Sequence, residues 1–134
     1  MKKMYTGSCH CGAVRFEADI NLSEGTFKCN CSFCTKARNW LTTVKPDAFR
    51  LLTGESALTD YRCTPTSNHN LFCKHCGMRP YGWGEAPELG GKFYAVNVTC
   101  LDDVDINEFL SAPIAYIDGR NDNYQSPPLE IRHL

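Results

Sequence analysis

"CHCGAVRF", residues 9–16, decides how this chain is read: two cysteines one residue apart, a glycine directly after the second, then an alternating apolar run. The pattern returns at residues 73–77 as "CKHCG", where Cys73 and Cys76 are again followed by glycine. A flat strand separates side chains two residues apart by roughly 6.6 Å. Sulfurs bound to one tetrahedral zinc sit only about 3.8 Å apart. Each group must therefore bend sharply, and Gly12 and Gly77 tolerate the positive φ of such a knuckle. Paired, Cys9, Cys11, Cys73 and Cys76 offer four thiolates, a closed structural zinc site clipping together distant parts of the chain. Spacing alone leaves the pairing of cysteine groups open.

A third group lies in "KCNCSFCTKAR", residues 28–38. Cys29, Cys31 and Cys34 supply three ligands and leave the tetrahedron incomplete, the pattern of a second zinc with an exchangeable fourth position. Three thiolates on a divalent ion make a soft, weak Lewis acid, better suited to holding a sulfur ligand than to activating water. The trio thus acts through metal ligation and not as covalent nucleophiles. Lys28, Lys36 and Arg38 flank it and would offset its charge or attract an anionic thiol. The competing reading is a second structural site, closed by Cys63, Cys100 or a histidine.

His10 and His75 sit between candidate ligands and are expected to point outward, while His69 is the better candidate for a polar pocket. Cys100 and Cys63 read as small buried hydrophobes. Trp40 and Trp83 either wall a pocket beside the trio or join the core. Turn formation and hydrogen bonding account for Asn97 and Asp102.

The 134 residues suit one domain spanning 1–134. No apolar run approaches the roughly 20 residues of a membrane span, and "MKKMYTGSC" lacks the apolar stretch of a signal peptide. These features lead to the expectation of a cytosolic protein, where nine cysteines signify metal ligation more than disulfides. A formal charge of −1 gives no basic excess for nucleic acid. Short alternating stretches, "AVRFEA", "TFKCN", "WLTTV", "FRLLT", "ALTDYR", "NLFC", "PYGWG", "KFYAVNV" and "PIAYID", predict a mostly β fold of antiparallel strands. "KPDAF" and "TGES" supply turns on either side of "FRLLT", consistent with a meander. Two short helices are expected: "SFCTKAR" with Ser32 as N-cap, and "DINEFLSA" capped by Asp105 and stopped by Pro113.

Taken in order, "CHCGAVRF", "CNCSFCTK", "FCKHCG" and "YAVNVTCLDD" resemble the glutathione-dependent formaldehyde-activating enzyme family, which includes S-hydroxymethylglutathione synthase-like and centromere protein V-like members. The resemblance implies a β-tent of antiparallel sheets. It implies a structural zinc on Cys9, Cys11, Cys73 and Cys76, and a second zinc on Cys29, Cys31 and Cys34. It further implies a carbon–sulfur lyase or synthase that joins glutathione to formaldehyde, or cleaves the adduct. A zinc-stabilised module that docks a protein partner or carries glutathione is the rival reading. A methionine sulfoxide reductase relative would instead need Cys100 or Cys63 as its catalytic thiol.

Overall fold

Residues 2–134 are described by a computed structural model. Along the chain run β1 (Lys3–Ser8), β2 (Arg15–Ile20), β3 (Thr26–Cys29), α1 (Ser32–Ala37), β4 (Leu41–Val44), β5 (Phe49–Thr53), β6 (Leu58–Tyr61), β7 (His69–Cys73), β8 (Tyr81–Ala86), β9 (Gly91–Asn97), α2 (Ile106–Ser111) and β10 (Ile114–Ile117). The fold is mostly β with two short helices. No helix among the described residues is long and apolar enough to cross a membrane.

Two sheets form. The smaller has the order β1-β2-β5, and the larger runs β10-β3-β4-β9-β8-β7-β6. Alternation in the sequence explains why they stack: Phe16, Ala18 and Ile20 leave one face of β2 and are buried, as is Phe49 from β5. These side chains meet Tyr81 and Val96 of the larger sheet in one core. Phe49 stands 4.5 Å from Tyr81 and 4.4 Å from Tyr94, centroid to centroid. Burying each such side chain contributes about 1.5–3 kcal/mol.

The other face of the larger sheet carries no second sheet. Directly paired residues share a face, and the register places Phe27 beside Leu41, Thr43 beside Ala95, Ala95 beside Gly82, and Phe93 beside Gly84. That face is apolar at its centre and borders a cleft.

Three expectations change. The "FRLLT" strand does not continue a meander, because β5 leaves the sheet of β4 and β6 and pairs with β2. The turns flanking it are single 3₁₀ turns, Pro46–Ala48 and Glu55–Ala57, which redirect the chain between layers. The pairing of β10 with β3 is parallel, with α2 lying on the return path of the chain before β10. Helix α1 is capped not by Ser32 but by Cys31, whose sulfur accepts the Cys34 amide. Asp105 caps α2 as its sequence predicts. Strand β1 carries too weak an alternation in "KMYTGS" to be read in advance, with only Tyr5 and Gly7 buried.

Candidate metal centres

Cys9 and Cys11 lie between β1 and β2; Cys73 ends β7 and Cys76 sits in the turn before β8. Gly12 and Gly77 adopt φ of 83° and 77°. The Gly12 amide donates to Cys9 O at 3.2 Å, three residues back, and the Gly77 amide to Cys73 O at 2.7 Å, four residues back, so each group is closed into a tight turn by its glycine. The fold brings the knuckles together: Cys9 and Cys11 sulfurs are 3.7 Å apart, as are those of Cys11 and Cys73. All four sulfurs lie within 4.8 Å of one another. This is the spacing of a tetrahedral thiolate site. Val14 and Ala57 pack against it as a small satellite core. Amides of Cys11 and Met78 lower the Cys76 thiol to about 6, so the protein favours thiolate there.

Cys29, Cys31 and Cys34 form the second group, again with sulfurs within 4.8 Å. No other Cys, His, Asp or Glu among the described residues joins it. Each sulfur accepts an N–H: Cys29 from the Cys31 amide at 3.4 Å, Cys31 from the Cys34 amide at 3.3 Å, and Cys34 from Asn39 Nδ2 at 3.4 Å. The Cys34 thiol and the amides of Cys31 and Gly119 together bring Cys29 down to about 5. The contact with Cys29, together with burial, keeps the proton on Cys34. A Cβ on Gly119 would lie 2.4 Å from the Cys29 sulfur, so only glycine fits there. Asn30, between the first two cysteines, is buried, donates to Asp118 at 2.8 Å and accepts from the Arg120 amide at 2.9 Å. The trio is therefore held by β3, α1 and the turn after β10. Three grouped sulfurs, each accepting an N–H, fit a bound zinc or a similar soft ion.

The trio opens onto the cleft, a space of about 580 Å³, within the range of small-molecule sites. Phe27, Leu41, Phe93, Ala95 and Ile117 face it from the sheet, and Phe33, Leu89 and Tyr124 border it. Phe33 anchors α1 by stacking on Tyr61, centroids 5.6 Å apart, with the Arg79 guanidinium 4.6 Å over its ring. Arg79 also donates to Asn39 Oδ1, and to Asn70 Oδ1 at 3.2 Å. Burial weakens its hold on the proton, yet a guanidinium remains charged. Among the described residues bordering the cleft there is no Lys, Asp or Glu.

Among the described residues, the charged side chain bordering the cleft is thus Arg79, while Lys28 and Arg38 line a smaller hollow on the other side of the trio together with Cys29 and Cys34. Lys28 instead covers Trp40, 5.4 Å from its ring, and Arg38 donates to His133 O at 2.5 Å; neither borders the cleft, and nor does Lys36. Trp40 packs on Phe109, while its Nε1 donates to Thr26 at 2.7 Å. His69 and Trp83 border the cleft only along their strands, since their register puts their side chains on the core-side face, stacked 3.9 Å apart, where His69 Nδ1 pairs with Asp60. His10 and His75 are exposed, as expected. Cys63 is exposed at the cleft rim and not buried. Cys100 packs beside the core, and burial pushes its thiol up to about 11, opposite to what a nucleophilic thiolate needs. Asn97 is buried, accepts from Thr99 and donates to Arg79 O at 3.3 Å, while Asp102 accepts from Ser8 at 2.7 Å.

Sequence reading missed Arg79 and Asn39. Arg79 follows the second knuckle in "CGMRP", where nothing local marks it as a partner of the trio.

Residues 4–116 match the family described as glutathione-dependent formaldehyde-activating enzyme. The chain belongs to that family. For this member of the formaldehyde-activating enzyme family, the match includes all nine cysteines. A crystal structure of a Rhodobacter sphaeroides protein is similar, with a TM-score of 0.68 and 28% identity over 82% of this chain and 99% of that one. Membership in the formaldehyde-activating enzyme family supports a glutathione-related, formaldehyde-handling role.

Proposed function

We propose that this chain is a single-domain, cytosolic carbon–sulfur lyase or synthase that uses two zinc ions and handles glutathione adducts of formaldehyde or related electrophiles. Cys9, Cys11, Cys73 and Cys76 hold a structural zinc. Cys29, Cys31 and Cys34 hold the second. Zinc at the trio would supply a soft Lewis acid that keeps a sulfur ligand as thiolate.

The observation that carries this reading is the trio itself: three sulfurs at a cleft wall, with no fourth protein ligand grouped with them among the described residues. The surrounding residues have defined tasks. Asn39 orients Cys34, Arg79 adds positive charge beside the thiolates, and the apolar sheet face keeps water from the reacting atoms. In synthesis the thiol sulfur bonds to the carbonyl carbon, and the carbonyl oxygen takes up the proton the thiol gave up. In cleavage the same bond breaks and the thiolate departs.

Native mass spectrometry of freshly purified protein, titrated with reduced glutathione and with S-methylglutathione, tests this reading. Two zinc ions and an adduct with glutathione that the methylated analogue does not match are expected. Two zinc ions without any thiol adduct would favour a binding module.

A further inference from the structure

The cleft is larger and more apolar than formaldehyde requires. Formaldehyde brings one carbon, and glutathione brings two carboxylates, an ammonium and two peptide groups. Against them the cleft sets one charged side chain, Arg79, and a few amides and hydroxyls near its rim, such as Asn68 and Asn70. Its floor is different. Phe27, Leu41, Phe93, Ala95 and Ile117 share one sheet face through the pairings Phe27 with Leu41, Phe27 with Ala115 and Ala95 with Gly82; the polar residues of that face are Thr43 among them, Asn97 opposite Leu41 and Asn70 opposite Gly82. Polar groups laid on such a floor would lose hydrogen bonds to water without replacing them. Neither glutathione nor formaldehyde matches it.

From this mismatch we propose that the electrophile handled here carries an apolar group of several carbons, so that the ligand is the thiol adduct of an alkyl or aryl aldehyde. The inference rests on the thiol-adduct reading above and names its substrate class. Three features define the occupant together: the trio takes the sulfur, the floor takes the apolar group, and Arg79 takes a carboxylate. Two of the five N–H donors of Arg79 hold Asn39 and Asn70, which fixes the guanidinium and leaves donors for an anion. The reaction balances without a further reagent. The thiol sulfur bonds to the aldehyde carbon, the carbon–oxygen double bond becomes single, and the thiol proton ends on that oxygen. Cleavage reverses each change.

Chain length is the variable to test. Specificity constants of the zinc-loaded protein would be compared for formaldehyde, propanal, pentanal and phenylacetaldehyde with glutathione. Each buried methylene is expected to raise the constant about fourfold until the floor is covered. Calorimetric binding of S-methyl-, S-butyl- and S-hexylglutathione reads the same floor without turnover, and affinity is expected to rise by a similar factor per methylene. Ala95→Leu, which occupies the floor, is expected to flatten both series. A flat series in the unaltered protein, with formaldehyde the best aldehyde, would overturn this inference and leave the thiol-adduct reading standing. If no glutathione compound binds and no adduct is made or cleaved, the thiol-adduct reading falls and the inference with it.

Discussion

The two thiol clusters are built from the same side chain, yet their surroundings differ in a way that separates folding from chemistry. The quartet supplies four sulfurs, enough for a full tetrahedron, with Cys9 and Cys73 buried against Val14 and Ala57, Cys76 half-buried and Cys11 exposed. The trio supplies three sulfurs, which on the proposed reading leaves one position to a ligand, and its cysteines are all half-buried at a cleft wall. In the quartet the knuckles are more than sixty residues apart in the chain, so a metal there would tie β1 and β2 to β7 and β8. In the trio a single segment provides every ligand, and the metal adds little long-range constraint. Ligand count and chain separation, more than ligand chemistry, distinguish the sites.

Breaking the quartet is therefore expected to have the largest effect. Cys73→Ser should cost a large share of the roughly 10–16 kcal/mol that a structural zinc contributes in small domains, and circular dichroism should show no cooperative thermal transition. Cys31→Ser is expected to keep a cooperative transition, while native mass spectrometry shows one zinc ion in place of two and no glutathione adduct. If both variants unfolded alike, the distinction between the sites would fail.

Subtler variants sharpen it. Gly119→Ala forces a Cβ to within 2.4 Å of the Cys29 sulfur, so the trio must shift while the quartet does not. Asn39→Ala removes the N–H donated to Cys34 and an acceptor for Arg79. Each is expected to weaken the second zinc by about 10–100-fold, the usual cost of losing a group that orients a ligand. Competition with a chromophoric chelator should show a weakened class of one zinc and an unchanged class of one. The smallest effect concerns acid. Hydrogen bonds from Asn121 and Asn30 hold the Asp118 carboxyl below its ordinary range. Its contribution is fully present above the unfolded carboxylate value and is lost as pH falls through the lowered folded value. Asn30→Ala should bring the two values closer, giving a shallower loss of stability on acidification in denaturant titrations.

Strand β2 was legible because alternation in "VRFEA" reports directly on which face is buried, β9 because its apolar run "FYAV" suits a strand covered on both faces, and α2 because Asp105 and Pro113 act locally. Layer assignment was not. Nothing within "FRLLT" states that it will pair with β2 and leave its sequence neighbours, because strand partners are chosen by which apolar faces meet. The charges near the trio show the same limit. Lys28 and Arg38 are close in sequence, yet Trp40 and the C-terminal residues engage them on the far side.

The sequence by itself determined three local cysteine groups, while which of them meet to make a set of four and a set of three was decided by the fold. Cysteine spacing and an adjacent glycine fix the local backbone bend, and that bend needs no help from the rest of the chain. Only the tertiary structure decided what the trio faces. Arg79 reaches it through a turn that follows the second knuckle, and the apolar floor arises from β3, β4, β9 and β10, which are scattered in sequence and joined only by pairing. His69 shows why: one step of strand register decides between the cleft and the opposite face, and register is set by partners that the local sequence does not contain.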